Sequence, residues 1–414
     1  MRRPTKSSSR KISADSQRLV TLAQSHVQAA SRLEQREWER QLEQLLQTQL
    51  GSNQRLAIDN ALDHLFHVDG EAYDDLLDIV EAVSCSCTLE HNGKHYDALL
   101  IAMPILSWTR FTIASGPIQI ELLQALTTQL IAHILASDVH IAIAPHLFSI
   151  DQLPRSYCET YALTRRMAQA SISQTALTMP IEMPDTAPFL ADTRQILFVV
   201  TAEHRKPLLR WQEENINSNL QINTQVALTQ WQVHATPLLQ KLLPGCGIEL
   251  LLPEAYFVAC RNADKMIRPI SLRAAVHYLT HALNIDAGQL QAVVASVGDD
   301  SHELRIDEYR VSFSVVNNPE VFYGVIWPLY DEESGEEDVQ LSSSHGLNKT
   351  TVSPLQQIVI LLRESGITQI TKPDMLFPAE CCDDCGAPLF CDQAEEMVHA
   401  EMPEDSVQQG GHLH

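Results

Sequence analysis

Two cysteines separated by two residues, followed by glycine and later by histidines, supply the ligand types and spacing of a tetrahedral metal site. The last 35 residues of this chain hold such a set: Cys382-Asp383-Asp384-Cys385-Gly386, then His399, His412 and His414. One tight turn presents two thiolates, and the glycine lets backbone amides turn toward the sulfurs. Two nitrogens must then arrive from elsewhere. Histidines at i and i+2 on an extended segment project to one face, so His412 and His414 form one suitable pair, with His399 as the third candidate. Cys381 and Cys391 are spare thiols, or alternative ligands in a Cys-x₃-Cys register. The expected cofactor is one structural zinc ion. Four protein ligands leave no position for water, which argues against hydrolysis there.

Two catalytic readings of the same residues fail. A thioredoxin-like pair needs a depressed thiol pKa at a helix N-terminus, and Asp383 and Asp384 between the cysteines are expected to disfavour the thiolate. A zinc deaminase places His-x-Glu before its cysteines. Here His399-Ala400-Glu401 follows them, too close for the intervening core elements.

Elsewhere the sequence has no Gly-x-Gly-x-x-Gly, no Gly-x₄-Gly-Lys-Ser/Thr, no Gly-x-Ser-x-Gly and no His-Glu-x-x-His. Gly245-Cys246-Gly247 reads as a helix stop. Cys85 and Cys87 are expected on one strand face, as packing. Arg110, Arg155, Arg165 and Arg166 suit an anion site but are expected to serve as salt-bridge partners. Two functional classes follow. The favoured one is a non-enzymatic binding or regulatory protein with a structural zinc site. The alternative is an enzyme with its active site in a cleft between α/β units, using Arg110, His146, Asp151 and Arg155 near strand ends.

At 414 residues, 45% apolar and 20% charged, the chain has the composition of an ordinary globular protein with room for two or three domains. No stretch is long and apolar enough to read as a membrane span. The first eleven residues are basic, with Arg2, Arg3, Lys6, Arg10 and Lys11, but no apolar run follows them as in a secretory signal. A cytoplasmic location is therefore expected, where thiols stay reduced and favour metal over disulfide. The net charge of −23 disfavours nucleic acid as a partner for the acidic body, while the basic arm 1–11 suits an acidic partner. The partners themselves are not legible.

The expected fold is mixed α+β. A disordered basic arm (1–13) precedes a helical region (14–83) in which Leu19, Leu22, Leu42, Leu45 and Leu46 share a stripe, read as one long helix ended by Gly51-Ser52-Asn53 and followed by two shorter ones. The period then changes to two, and Asn92-Gly93 marks a hairpin. A first α/β unit (84–172), a proline-rich linker (173–192), a second unit (193–300) and a third (301–378, with an acidic insertion at 331–346) follow. A Cys/His tail (379–414) with the character of a zinc knuckle closes the chain. A helix–strand stretch in each unit ends in proline and then an aromatic: Pro145 to Phe148, Pro253 to Phe257, Pro373 to Phe377. The units are accordingly expected to repeat one strand–helix–strand core.

Several stretches together resemble a known family. They are Met1 to Lys11, Tyr96-Asp97-Ala98-Leu99-Leu100-Ile101-Ala102, Ser149-Ile150-Asp151-Gln152-Leu153-Pro154-Arg155, and the tail from Cys382 through His399-Ala400-Glu401-Met402-Pro403 to His412-Leu413-His414. Over essentially its full length the chain resembles a bacterial family of conserved hypothetical proteins, domain of unknown function 2863. The resemblance implies that the Cys-x-x-Cys and terminal His-x-His belong to the motif, whereas Cys381 and Cys391 do not. It implies no activity.

Overall fold

The structure, a computed structural model, describes residues 12–180, 183–186, 188–213, 224–299, 305–330, 333 and 352–402. The expected basic arm up to residue 11, the acidic insertion apart from Glu333, and His412 and His414 lie outside these residues.

The chain begins with α1 (Ala14–Val27), whose first turn is capped by the Ser13 hydroxyl accepting the Ser16 N–H. The single long helix expected here is two helices. The chain leaves α1 at Gln28 and restarts as α2 (Arg32–Gly51). Ser31 Oγ accepts the Glu34 N–H while the Glu34 carboxylate accepts the Ala30 N–H, so two otherwise orphaned amides are satisfied at the break. Next come α3 (Arg55–Val68) and α4 (Gly70–Cys85), the second capped by Asp69. Leu19, Leu46, Ile58, Leu65 and Leu76 bury their helical stripes in one common core.

The strand β1 (Ser86–His91) turns at Asn92 and Gly93, both at positive φ (52° and 73°), into the long β2 (Lys94–Trp108). Cys85 ends α4 while Cys87 lies in β1, so they do not share a strand face as expected. Burial pushes both thiols up to about 11, as suits packing. The chain continues through β3 (Gly116–Pro117), α5 (Ile120–His133), β4 (His140–Ile143), β5 (His146–Leu147) and α6 (Tyr157–Ser173). It then forms β6 (Ala191–Glu203), α7 (Thr224–Leu239), β7 (Gly247–Leu250), β8 (Glu254–Ala255) and α8 (Tyr256–Ala282).

The first sheet has the order β1-β2-β6-β4, with β7 and β8 also on β2. Its centre is the antiparallel ladder from Tyr96↔Glu203 to Trp108↔Ala191. Each of the first two units gives its short strand to the other's long one. Ile141 of β4 lies opposite Val200 of β6, and Ile248 of β7 lies opposite Ser107 of β2. Exchanging the units carries the Ser107–Asp192 pair onto the Val200–Leu99 pair, which is a local two-fold relation.

The third unit departs from the expected repeat. Its strands β10 (Arg305–Val315) and β11 (Tyr323–Pro328) form a separate sheet with β9 (Leu290–Asp299), which the expected boundary at residue 300 assigns to the second unit. After α9 (Pro354–Glu364), β12 (Gln369–Thr371) and β13 (Leu376–Phe377) both lie parallel to β9. A helical crossover returns the chain in the same direction, so these strands cannot match the antiparallel β4 and β7. The last strands are β14 (Phe390–Cys391) and β15 (Met397–Val398). The 27-residue α8 joins the two sheets. Tyr256 and Ala259 pack on the first, while Leu272, Ala275 and Leu279 pack into the core of the second.

Candidate metal centre

The tail is seated before any metal is considered. Arg310 of β10 is buried, and its Nη1 donates to the carbonyls of Glu380 (2.7 Å) and Leu389 (2.6 Å), bracketing the cysteine loop. Its Nε donates to Glu308 at 2.7 Å, so the guanidinium charge is compensated. Ser312, two residues along the same strand, donates its hydroxyl to the Cys391 carbonyl at 2.5 Å. The Phe390 ring lies flat against β11 at Gly324, where a Cβ would overlap it. Cys391 is fully buried in a cluster with Val293, Ala295, Val297 and Phe377.

Between the two carbonyls bound by Arg310 the chain makes a closed loop. Cys382 N–H donates to the Ala387 carbonyl (2.7 Å) and Gly386 N–H to the Cys382 carbonyl (2.8 Å). Gly386 sits at φ 74°, a conformation that strains any residue bearing a Cβ. The backbone N–H groups of Cys385 and Asp384, with the Cys385 thiol, hold the Cys382 thiol below its ordinary value. The Asp384 charge opposes the Cys382 thiolate, as expected, but the amides outweigh it.

The β14·β15 hairpin, with Phe390 opposite Val398, folds His399 back over this loop. Asp392 Oδ1 fixes its turn by accepting the Ala394 and Glu396 N–H groups. The sulfurs of Cys382 and Cys385 and an imidazole nitrogen of His399 lie within 4.8 Å of one another, and Cys385 Sγ is 3.2 Å from His399 Nε2. Two soft sulfurs and one nitrogen at this separation are a donor set that could hold a metal ion. The other ring nitrogen, Nδ1, is 3.3 Å from Glu401 Oε1, without hydrogen-bond geometry. Glu401 is itself tied to the second sheet through its N–H and the Val321 carbonyl (2.9 Å).

Among the expected ligands, the structure therefore brings together Cys382, Cys385 and His399. Cys381 is exposed and outside the group. Cys391 is turned into the core, and burial pushes its thiol up to about 11. Sequence reasoning missed Arg310, Phe390 and Glu401.

The residues of the alternative enzymatic reading are used locally. Asp151 pairs with Arg155 at 3.5 Å on the surface. His146 shares a hydrogen bond with Gln152 (3.3 Å), and burial lowers its pKa. Arg110 lies over the Phe111 ring. Arg165 and Arg166 were expected to be salt-bridge partners, yet among the described residues neither pairs with a carboxylate. Arg165 stacks on Tyr161, and both line a cleft of about 410 Å³ with Leu50 and Leu89. Among the described residues no helix is long and apolar enough to cross a membrane.

Fold and site together define a mixed α+β protein with a Cys₂His donor cluster in a C-terminal hairpin. Residues 4–413 match the family described as protein of unknown function, DUF2863, and the chain belongs to it. No curated protein and no solved structure matches the chain.

Proposed function

We propose that the protein is a non-enzymatic binding or regulatory protein of the cytoplasm whose C-terminal tail is closed by one structural zinc ion. Cys382, Cys385 and His399 supply three ligands, and His412 or His414 supplies the fourth. The observation that carries this reading is the convergence of the three donor atoms within 4.8 Å. Zinc is favoured over other divalent ions because thiolates are soft ligands and the set imposes no planar or octahedral arrangement. A filled tetrahedron leaves no position for a reacting water, which is why the role assigned is structural.

The net charge of −23 over the whole chain disfavours nucleic acid as a partner for the acidic body, and the basic arm 1–11 is assigned to contact an acidic partner. The purified full chain should carry about one zinc, the ratio that follows from one four-ligand set. Elemental analysis of Cys382→Ser and Cys385→Ser should show that zinc gone, whereas Cys391→Ser should retain it. Protein that binds no zinc on reconstitution, or variants that keep it, would overturn the metal reading.

A further inference from the structure

Among the described residues, β4 is an outermost strand of the first sheet, paired only with β6. The Ala144 N–H donates to the Leu197 carbonyl, which fixes the alternation along the ladder. His140 and Ala142 exchange bonds with β6, so Ile141 and Ile143 turn their N–H and C=O groups away from it. No described group meets them. Edge strands are commonly blunted by shortness, lysine, proline, an inward charge or a bulge, and His140-Ile141-Ala142-Ile143 has only the first of these, at four residues.

A groove of about 520 Å³ runs along this edge, against every residue from Val139 to Ile143. Its far wall is the last turn of α6, with Ala170 and Ser171, and the segment 174–177. His140 is the one ionisable side chain in the lining. Four strand residues span roughly 13 Å at about 3.3 Å each, so the groove has the length of a short added strand.

We propose that β4 is a docking edge for an extended peptide segment of a partner protein, which adds to the sheet as its next strand. The alternating donors and acceptors of Ile141 and Ile143 are complementary to an extended backbone. Side chains of the incoming strand that face the groove must be small and uncharged, because nothing there would compensate a charge. Basic residues on either side of that segment would meet a chain whose overall net charge is −23. This gives a partner class to the binding role proposed above but uses no metal ligand, so the zinc assay and the peptide assay fail separately.

The test uses the full chain and a library of capped peptides, each with two lysines at either end and a central stretch randomised over Ala, Ser, Thr, Val and Ile. Selected peptides should slow exchange of the Ile141 and Ile143 amides at least tenfold. N-methylation of alternate central residues should abolish binding in one phase and leave it intact in the other, as only an added strand requires. Ile141→Pro removes an outward N–H and no ladder bond, so it should weaken binding at least tenfold with the fold retained. If that variant does not fold, the N-methyl series decides. Absence of any selected peptide, binding indifferent to methylation phase, or unprotected Ile141 and Ile143 amides would overturn the proposal. Protection of those amides in concentrated protein without peptide, with a doubled mass, would overturn it by assigning the edge to a second copy.

Discussion

Phe390 and Cys385 lie one short loop apart, yet they are held by opposite means. Phe390 and Cys391 are buried against two strands of the second sheet and pinned by Ser312 and Arg310. Cys382 and His399 are half-buried, Cys385 is exposed, and what unites the three is donor chemistry. A structural metal commonly contributes its binding energy directly to ordering the segment that bears its ligands. Here half the tail is already ordered by packing. A metal held by the three donors would have a smaller task, which is to fix the loop 381–388 and His399 on a base that exists without it.

The comparison can be broken at its strong side first. Phe390→Ala removes a buried ring and should cost about 3–5 kcal/mol of stability, measured by urea denaturation. The same ring explains Gly324. Gly324→Ala alone should destabilise the protein, because its new Cβ would overlap Phe390, and should do so much less in the Phe390→Ala background. Additive effects would mean that the ring does not seat the tail. Next in size is Arg310→Met, which keeps the aliphatic bulk but orphans the Glu380 and Leu389 carbonyls. Its expected cost is about 2–4 kcal/mol, the lower part of the range for two acceptors at about 1–3 kcal/mol each, because Glu380 is exposed. Limited proteolysis should then cut near residue 380 even with zinc present.

These anchors show where the sequence stops being readable. Cys-x-x-Cys-Gly is local chemistry, so its turn and its amide-to-sulfur arrangement follow from adjacent residues. His399 was legible as one of three histidines, but its selection depends on a hairpin turn set by Asp392. Arg310 acts on residues 70 and 79 positions away, and nothing in its own neighbourhood marks it as the base of the loop. Gly324 is similar, an ordinary strand glycine until the ring that needs it is known. The break between α1 and α2 was different, because Ser31 and Glu34 carry a capping-box spacing that was open to reading. The apolar stripe continues almost unbroken across the break, and periodicity prevailed over the cap. The exchange of β4 and β7 between the first two units has no local signature. It depends on strand partners chosen by tertiary packing, and the same blindness led to a third repeat where a parallel crossover stands.

The weaker side of the comparison is sharpened by thiol reactivity. In zinc-free protein, iodoacetamide should modify Cys381, Cys382 and Cys385 quickly. Cys391 should remain unmodified, since it is buried and its thiol is pushed up to about 11. Below that value it stays a neutral thiol, so raising the pH from 7 to 9 should not expose it. With zinc bound, protection should extend to Cys382 and Cys385 but not to Cys381. Rapid alkylation of Cys391 at neutral pH would show that the packed half opens as readily as the knuckle, and the distinction between the two would fail.

The smallest expected effect lies one shell out from the ligands. Glu401 places a carboxylate 3.3 Å from Nδ1 of His399, the nitrogen that faces away from the sulfurs. A ligating imidazole is oriented by whatever accepts its second N–H, and loss of such a partner typically weakens metal binding by about 10–100-fold. The Glu401 side chain is largely exposed and meets Nδ1 by charge without hydrogen-bond geometry, so the lower end is expected here. Glu401→Gln should weaken zinc binding about tenfold in a chelator competition, with urea stability of the whole chain unchanged. Glu401→Asp, which keeps the charge but shortens the reach, should fall between the two. An unchanged affinity in Glu401→Gln would mean that the backbone bond to Val321, and not the carboxylate, is what holds His399 in place.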